Sequence, residues 1–244
     1  LSPGMLPFRI DRACSTQTIS EYVRRMFHAS QMDLDYTLAQ MVMLCCAPRK
    51  VYQLTVYRKD TKNQWARDDP GFVVVLALFL VVSAMSYSIC LGTSWGSFFR
   101  AAAMFILVHF LLCGCVVATT FWLICNRHLR VFSYGHPEQA VEWLYAFDIH
   151  CNAFFPTFVL MYVGQYLLLP LLVRPHFLAA VMSNLLHGVA FAVYGYLTSL
   201  GYSFVPFLRR TEVFLYPAVV SIFAAVVLSC LDVNVTRLFI LWLM

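Results

Sequence analysis

Five stretches of this chain are long enough and sufficiently free of charge to cross a lipid bilayer. A bilayer core about 30 Å thick needs about 20 apolar residues at 1.5 Å per residue. The stretches that meet this requirement are 71–91, 101–125, 149–173, 177–208 (a span followed by a loop) and 213–231. Continuous apolar runs are typical of helices, whereas barrel strands alternate apolar and polar residues. We therefore predict an all-α polytopic membrane protein with five transmembrane helices.

The composition excludes a water-soluble fold. Of the 244 residues, 61% are hydrophobic and 12% are charged, about half the charged fraction of a soluble domain. The mean hydropathy of +0.73 leads to the same conclusion.

The distribution of Lys and Arg predicts the orientation in the membrane. Ten of the 17 basic residues lie at or before residue 67, and four more lie in the second and fourth loops. Only Arg100, Arg174 and Arg237 fall on the other side. Because basic residues accumulate on the cytosolic side, we expect a cytosolic N-terminus and a lumenal C-terminus. No apolar run precedes residue 41, so we expect the first span to direct insertion.

The span positions divide the chain into three parts. Residues 1–70 form a predicted cytosolic N-terminal region with interfacial helices, residues 71–232 a five-helix bundle, and residues 233–244 a short lumenal tail whose last seven residues lie in the interface. Thr18 and Glu21 have capping-box spacing and predict a short basic helix. A second helix starts at Asp33 and ends before Pro48. Its apolar positions recur with helical spacing, namely Leu34, Leu38, Met41, Val42 and Cys45.

Basic and aromatic residues alternate along the segment that follows the second helix. Three interpretations remain open: a solvated juxtamembrane segment, a surface for anionic lipid headgroups, and an RNA-binding surface. The candidate headgroup-facing residues are Arg49, Lys50, Arg58, Lys59 and Lys62. Cys45 and Cys46 lie beside an apolar stretch at the predicted cytosolic face, where such a pair serves either in packing or as a palmitoylation site.

The sequence before the first span contains more charge than a helix cap requires. Asp69 is placed to cap the helix, Pro70 occupies its first turn, and Trp65 is expected at the membrane interface. The surplus charges predict either a cytosolic docking surface or an internal ion-pair network, with Arg67 and Asp148 as the candidate pair. The candidate members are Trp65, Arg67, Asp68, Asp69, Glu142 and Asp148.

Polar residues at membrane depth raise two further alternatives. Asp148 and Asn152 are four residues apart and share a helix face, and His150 points nearly the opposite way. A small-solute or ion transporter would use a polar cavity, for which the candidates are His109, His150, Asn152, Asn184 and His187. An intramembrane enzyme is the weaker alternative, because the chain has no HExxH or GxSxG motif. We predict no metal, no cofactor and no catalytic residue.

Three blocks of sequence, spread over roughly residues 20–235, carry distinctive motifs. The first block includes RRMF at 24–27, QMD at 31–33, APRKVY at 47–52 and TKNQWARDDP at 61–70. The second includes EW at 142–143, YAFDIH at 145–150 and NAF at 152–154. The third includes GYS at 201–203, PFL at 206–208 and YP at 216–217. Together these motifs resemble the Unc-fifty (uncoordinated-fifty) family of Golgi membrane proteins.

The resemblance implies a non-enzymatic protein of the early secretory pathway that supports vesicle-mediated transport of membrane cargo. It implies nicotinic acetylcholine receptors as cargo, large Arf guanine-nucleotide exchange factors as partners at the cytosolic face, and contact with Golgi membrane lipids. It also brings RNA binding and residence in the endoplasmic reticulum or inner nuclear membrane as alternatives. Asn234 begins a glycosylation sequon about three residues after the fifth span, and we expect it to carry no glycan.

Overall fold

The computed structural model describes residues 32–62, 64–67, 69–131 and 139–244, with Lys62 described for its backbone alone. Within these residues, five helices are long and apolar enough to cross a membrane. The spans are α3 (Gly71–Leu91), α4 (Trp95–Leu129), α5 (Trp143–Leu172), α6 (Phe177–Ser203) and α7 (Thr211–Cys230). Two helices precede them, α1 (Leu34–Cys46) and α2 (Pro48–Lys62), and α8 (Val235–Leu243) follows. The predicted basic helix at Thr18 lies outside the described residues.

Side-chain caps fix where several of these helices begin. The Asp33 carboxylate accepts a hydrogen bond of 2.9 Å from the Tyr36 backbone N–H and starts α1 as predicted. The Asp69 carboxylate accepts one of 2.8 Å from the Gly71 N–H at the start of α3. Gly92 ends α3 with a φ of 62°, a left-handed conformation that glycine adopts without strain.

Two of the spans begin earlier than the sequence predicted, for a physical reason. Helix α4 begins at Trp95 rather than near residue 101, and α5 at Trp143 rather than 149. Arg100 lies inside α4 and donates a hydrogen bond of 3.2 Å to the Leu243 carbonyl. Asp148 lies inside α5 and has an ion-pair partner. The sequence prediction placed the boundary of each span at the nearest charged residue. The helix itself continues past that residue where the charged side chain has a bonding partner.

Small residues allow the spans to pack closely around α6. A methyl group built on Gly188 would lie 2.8 Å from the Cβ atom of Ala225 in α7, and one on Gly195 would lie 3.0 Å from that of Ala218. Close backbone approach at small residues is the usual way in which membrane helices associate.

The five spans alternate in direction, so their ends define two faces of the bundle. We call the end that carries residues 71, 129, 143, 203 and 211 the basal face, and the opposite end the distal face. Two basal loops are joined by backbone hydrogen bonds, from the Val131 N–H to the Phe207 carbonyl and from the Arg209 N–H to the Leu129 carbonyl, both 2.9 Å. The basal face corresponds to the side predicted to be cytosolic.

Helices α1 and α2 pack against the basal part of the bundle. The side chains of α1 that face the bundle are Thr37, Gln40, Met41 and Leu44. Those of α2 include Tyr52, which is fully buried and donates a hydrogen bond of 3.0 Å to the Leu197 carbonyl of α6. The sequence did not predict α2 as a helix, although Pro48 occupies its first position, where proline is favoured.

The last residues form a helix that packs against the bundle. Asn234 caps α8 by accepting a hydrogen bond of 3.1 Å from the Arg237 N–H. Thr236 is fully buried and bonded to Ser183 of α6 at 2.8 Å. Ile240 and Leu243 are buried in the main apolar core. Helix α8 therefore packs against the distal end of the bundle, and the expected location of residues 238–244 in the membrane interface stays a prediction.

Candidate functional site

An ion pair at the basal face joins the segment before α3 to α5. The Arg67 Nε atom lies 2.7 Å from the Asp148 Oδ1 atom. The Arg67 backbone N–H donates a second hydrogen bond, of 3.2 Å, to Asp148 Oδ2. Both residues are buried, with 6% and 9% of their surfaces exposed. Of the two interpretations offered by the sequence, this geometry is that of an internal ion pair.

The guanidinium group of Arg67 binds two further side chains. Its Nη1 atom donates a hydrogen bond of 3.1 Å to the Gln40 amide oxygen of α1, and Nη2 donates to the Asn152 amide oxygen of α5. Its central carbon lies 4.2 Å from the centre of the Phe72 ring of α3, within the range of a cation–π contact. One cation therefore connects α1, α3 and α5.

The flanking carboxylates also have internal partners. The Glu142 carboxylate accepts hydrogen bonds of 3.4 Å from the backbone N–H groups of Trp65 and Ala66. The Asp69 carboxylate, besides capping α3, accepts one of 3.0 Å from the Asp33 N–H at the start of α1. The structure therefore brings together every predicted member of this network except Asp68, which lies outside the described residues. We call Gln40, Arg67, Asp148 and Asn152 the basal cluster.

The basal cluster positions helices and offers little for proton transfer. Both Asp148 oxygens accept hydrogen bonds from Arg67, one from its backbone N–H and one from its side chain. Burial raises the pKa of the neighbouring Tyr52, which keeps its hydroxyl protonated and bonded to a carbonyl. Among the described residues, no group of three or more His, Cys, Asp or Glu side chains could hold a metal ion.

The basic residues of α2 do not form one surface. Arg49 and Lys50 are exposed. Lys59 lies over the ring of Trp65, with 5.8 Å between its ammonium nitrogen and the ring centre. Arg58 is partly buried, and its Nη1 atom is buried without a hydrogen-bond partner among the described residues. The side chain of Lys62 lies outside the described residues.

Cys45 and Cys46 are both exposed at the end of α1. Partial burial raises the pKa of the Cys45 thiol, and the neighbouring Cys46 raises it further. Exposure is compatible with acylation, but a raised pKa lowers the thiolate fraction at neutral pH. Palmitoylation at these positions stays a prediction.

The side chains predicted to line a polar cavity do not converge. Asn152 belongs to the basal cluster. Asn184 lies near the distal face, where its amide donates a hydrogen bond of 2.7 Å to the Val233 carbonyl and accepts one of 3.2 Å from the Val235 N–H. His187 bonds within α6, 2.8 Å from the Ser183 carbonyl. Each of these polar groups has a hydrogen-bond partner of its own in a different part of the bundle.

Only His109 and His150 of the predicted cavity residues line a shared pocket. This pocket, of about 650 Å³, opens between α4, α5, α6 and α7, and apolar side chains dominate its walls. The His109 and His150 Nδ1 atoms lie 2.7 and 2.8 Å from the hydroxyl oxygens of Tyr162 and Tyr194. A polar path for ions or solutes is not formed by these residues.

Sequence reasoning missed Gln40 and the close contact at Gly201. Gln40 shares the inward face of α1 with Thr37, and two polar residues three apart within an apolar helix were the available signal. A methyl group on Gly201 would lie 2.9 Å from the Tyr52 ring, so glycine here lets α2 approach α6.

These observations define a class: a helical multi-pass membrane protein whose buried basal charges hold its first helices against the bundle. The model of the UNC-50 family matches residues 22–244, and the chain belongs to this family. It is 47% identical to the unc-50 homologue of Dictyostelium discoideum over 201 residues, 82% of this chain and 77% of that protein.

Two animal relatives match nearly the same share of this chain. The chain is 42% identical to the unc-50 protein of Caenorhabditis elegans over 200 residues, 82% of this chain and 65% of that protein. It is 37% identical to the human homologue over 198 residues, 81% of this chain and 76% of that protein. No solved structure matches the chain.

Proposed function

We propose that this protein is a non-enzymatic membrane scaffold of the Golgi and early secretory pathway that supports vesicle-mediated transport and surface delivery of receptor cargo. In this proposal the basal face is cytosolic and docks Arf guanine-nucleotide exchange factors. Membership of the UNC-50 family supports a membrane role, and the excess of Lys and Arg on the basal side supports the orientation.

One observation carries the docking proposal: the buried charges of the basal face are used internally, and a separate set is exposed. Arg67 and Asp148 are bonded to each other and fix the position of α1 against α5. Helix α2 lies beside them and exposes Arg49, Lys50 and Tyr57. A fixed scaffold with exposed charges is suited to binding another protein, because complementary charges steer association and specificity. The docking residues are therefore on α2, and the basal cluster supports them.

The test is a charge reversal on the exposed surface of α2. We expect the combined change Arg49→Glu and Lys50→Glu to abolish pull-down of the exchange factor and to reduce retention in the Golgi. The matched control is Arg174→Glu, an exposed arginine in the distal loop after α5, which should change neither. A folded basal variant with normal binding and localisation would refute the docking proposal, as would equal losses in the control.

The orientation has an independent test. A tag at the C-terminus should be protected from protease added to intact microsomes, and a tag at the N-terminus should be digested. Digestion of the C-terminal tag would place the basal face in the lumen and exclude docking of a cytosolic factor.

A further inference from the structure

A second, polar pocket lies at the basal face between α1, α2 and the start of α3. Its volume is about 240 Å³. Asp69 lines this pocket, and the first span begins two residues later at Gly71. The pocket therefore lies at the end of a span, at the level expected for the lipid headgroups. The lining residues are Asp33, Tyr36, Thr37, Gln40, Arg58, Arg67, Asp69 and Phe72.

The cationic side of this pocket has an unused hydrogen-bond donor. The Nη1 atom of Arg58 is buried and has no partner within the described part of the chain. Buried charged donors are almost always satisfied, so an unsatisfied one points to an acceptor from outside the chain. Arg67 does not need an acceptor from outside the chain, because Asp148, Gln40 and Asn152 already accept its hydrogen bonds.

The other side of the pocket is anionic. Asp33 and Asp69 lie next to each other at the first turns of α1 and α3, where the Asp33 N–H donates to the Asp69 carboxylate. The Asp69 carboxylate accepts a second hydrogen bond from the Gly71 N–H, and the Asp33 carboxylate accepts one from the Tyr36 N–H. The pocket therefore presents a guanidinium group from α2 and two carboxylates from the helix starts.

We propose that this pocket binds the zwitterionic headgroup of a phospholipid, with its phosphate on Arg58 and its ammonium group at Asp33 and Asp69. The charges of Arg67 and Asp148 cancel, so a purely anionic ligand would meet two carboxylates and one guanidinium group, that of Arg58. A headgroup that carries both signs satisfies both sides. Ethanolamine is preferred to choline, because its primary ammonium can donate hydrogen bonds to the carboxylates.

The outer surface of α1 indicates that the ligand is a lipid rather than a soluble phosphate. Leu34, Leu38 and Val42 repeat every fourth residue and are 50%, 44% and 63% exposed. An exposed apolar stripe on a helix whose polar Thr37 and Gln40 point inward is typical of a helix in contact with acyl chains. The stripe and the pocket lie on the same short helix, so one lipid can occupy both.

The experiment measures lipid retention by the purified full chain, using native mass spectrometry after delipidation and addition of defined lipids. We expect phosphatidylethanolamine to bind more tightly than phosphatidylcholine, phosphatidylserine or phosphatidylglycerol. Arg58→Gln should weaken phosphatidylethanolamine binding by about tenfold or more. Arg127→Gln, the same change at an exposed arginine at the basal end of α4, should have no effect.

Several results would overturn the proposal. Tighter binding of the anionic lipids to the unchanged protein would refute the zwitterionic assignment without any variant. Equal weakening by Arg127→Gln would show that the effect is non-specific. Competition by soluble phosphoethanolamine at the affinity of the lipid would refute the membrane source, and a basic peptide that occupies the pocket in its place would refute the lipid class. None of these measurements involves the exchange factor, so this proposal and the docking proposal can fail separately.

Discussion

Removal of the Arg67 side chain tests whether the basal cluster holds the first helices against the bundle. The change Arg67→Met keeps a long apolar stem and deletes the guanidinium group. Asp148, 9% exposed, then loses its counter-ion and a hydrogen bond of 2.7 Å. The amide oxygens of Gln40 and Asn152 lose their donor as well.

The size of the effect follows from the burial of the pair. Breaking a buried ion pair by removing one partner costs about 3–5 kcal/mol of unfolding free energy, because the remaining charge is uncompensated. Asp148→Leu should cost a similar amount, because it leaves the guanidinium group without its carboxylate. The double variant removes both charges and should be more stable than the sum of the two single effects predicts, by about 2–3 kcal/mol.

The assay is reversible unfolding in mild detergent with added dodecyl sulfate, followed by tryptophan fluorescence. Trp65 lies two residues from Arg67 and is buried against Tyr145, with ring centres 5.5 Å apart, so it reports on this region. Arg49→Met is the matched control, since Arg49 is exposed, and its unfolding curve should match that of the unchanged protein. If Arg67→Met is also neutral, or if the two single effects add in the double variant, the ion pair does not hold these helices.

Three further predictions follow from individual contacts. Gly201→Ala should cost about 1–3 kcal/mol of unfolding free energy, because its methyl group would lie 2.9 Å from the Tyr52 ring. The control is Ser203→Ala, at an exposed site two residues further along the same helix. Asn234 should carry no glycan, so endoglycosidase should leave the gel mobility unchanged; its amide is buried and donates a hydrogen bond of 2.7 Å to the Leu172 carbonyl. The rate of Cys45 alkylation, followed by peptide mass spectrometry, should be low at neutral pH. It should keep increasing with pH beyond the ordinary pKa of a thiol, because the raised pKa of Cys45 delays formation of the thiolate.

The number and approximate positions of the spans were predictable because hydrocarbon excludes unpaired charge. The same rule explains the errors at the starts of α4 and α5. Arg100 and Asp148 each have a partner far away in the sequence, and a pattern of single residues does not show such partners. The phase of α5 was nevertheless correct: Asp148 and Asn152 both face Arg67, and His150 bonds elsewhere, to Tyr194.

The partners of the predicted cavity residues could not be read from the sequence, because residue type alone does not reveal which atoms a polar side chain meets. Asn184 and His187 are near each other in α6, but Asn184 bonds to the Ser229 hydroxyl and the Val233 carbonyl, and His187 to the Ser183 carbonyl. Buried amides commonly satisfy the ends and turns of helices, and the backbone of residues 233–235 needed such a partner. The position of that loop depends on how α8 packs against α6. The local periodicity of the sequence gives no information about this packing.

The position of α2 connects the two proposals and determines the order in which variants can be interpreted. Arg49 and Lys50 of the proposed docking surface and Arg58 of the proposed headgroup pocket lie on this one helix. It is held by the Tyr52 hydrogen bond to α6 and by packing against α1, which Arg67 attaches to α5. A change in the basal cluster should therefore disturb both activities together, whereas a surface change on α2 should disturb one. Loss of both exchange-factor docking and lipid binding in a surface variant would mean that α2 itself had moved. The stability of each variant must therefore be measured before a loss of binding is assigned to one contact.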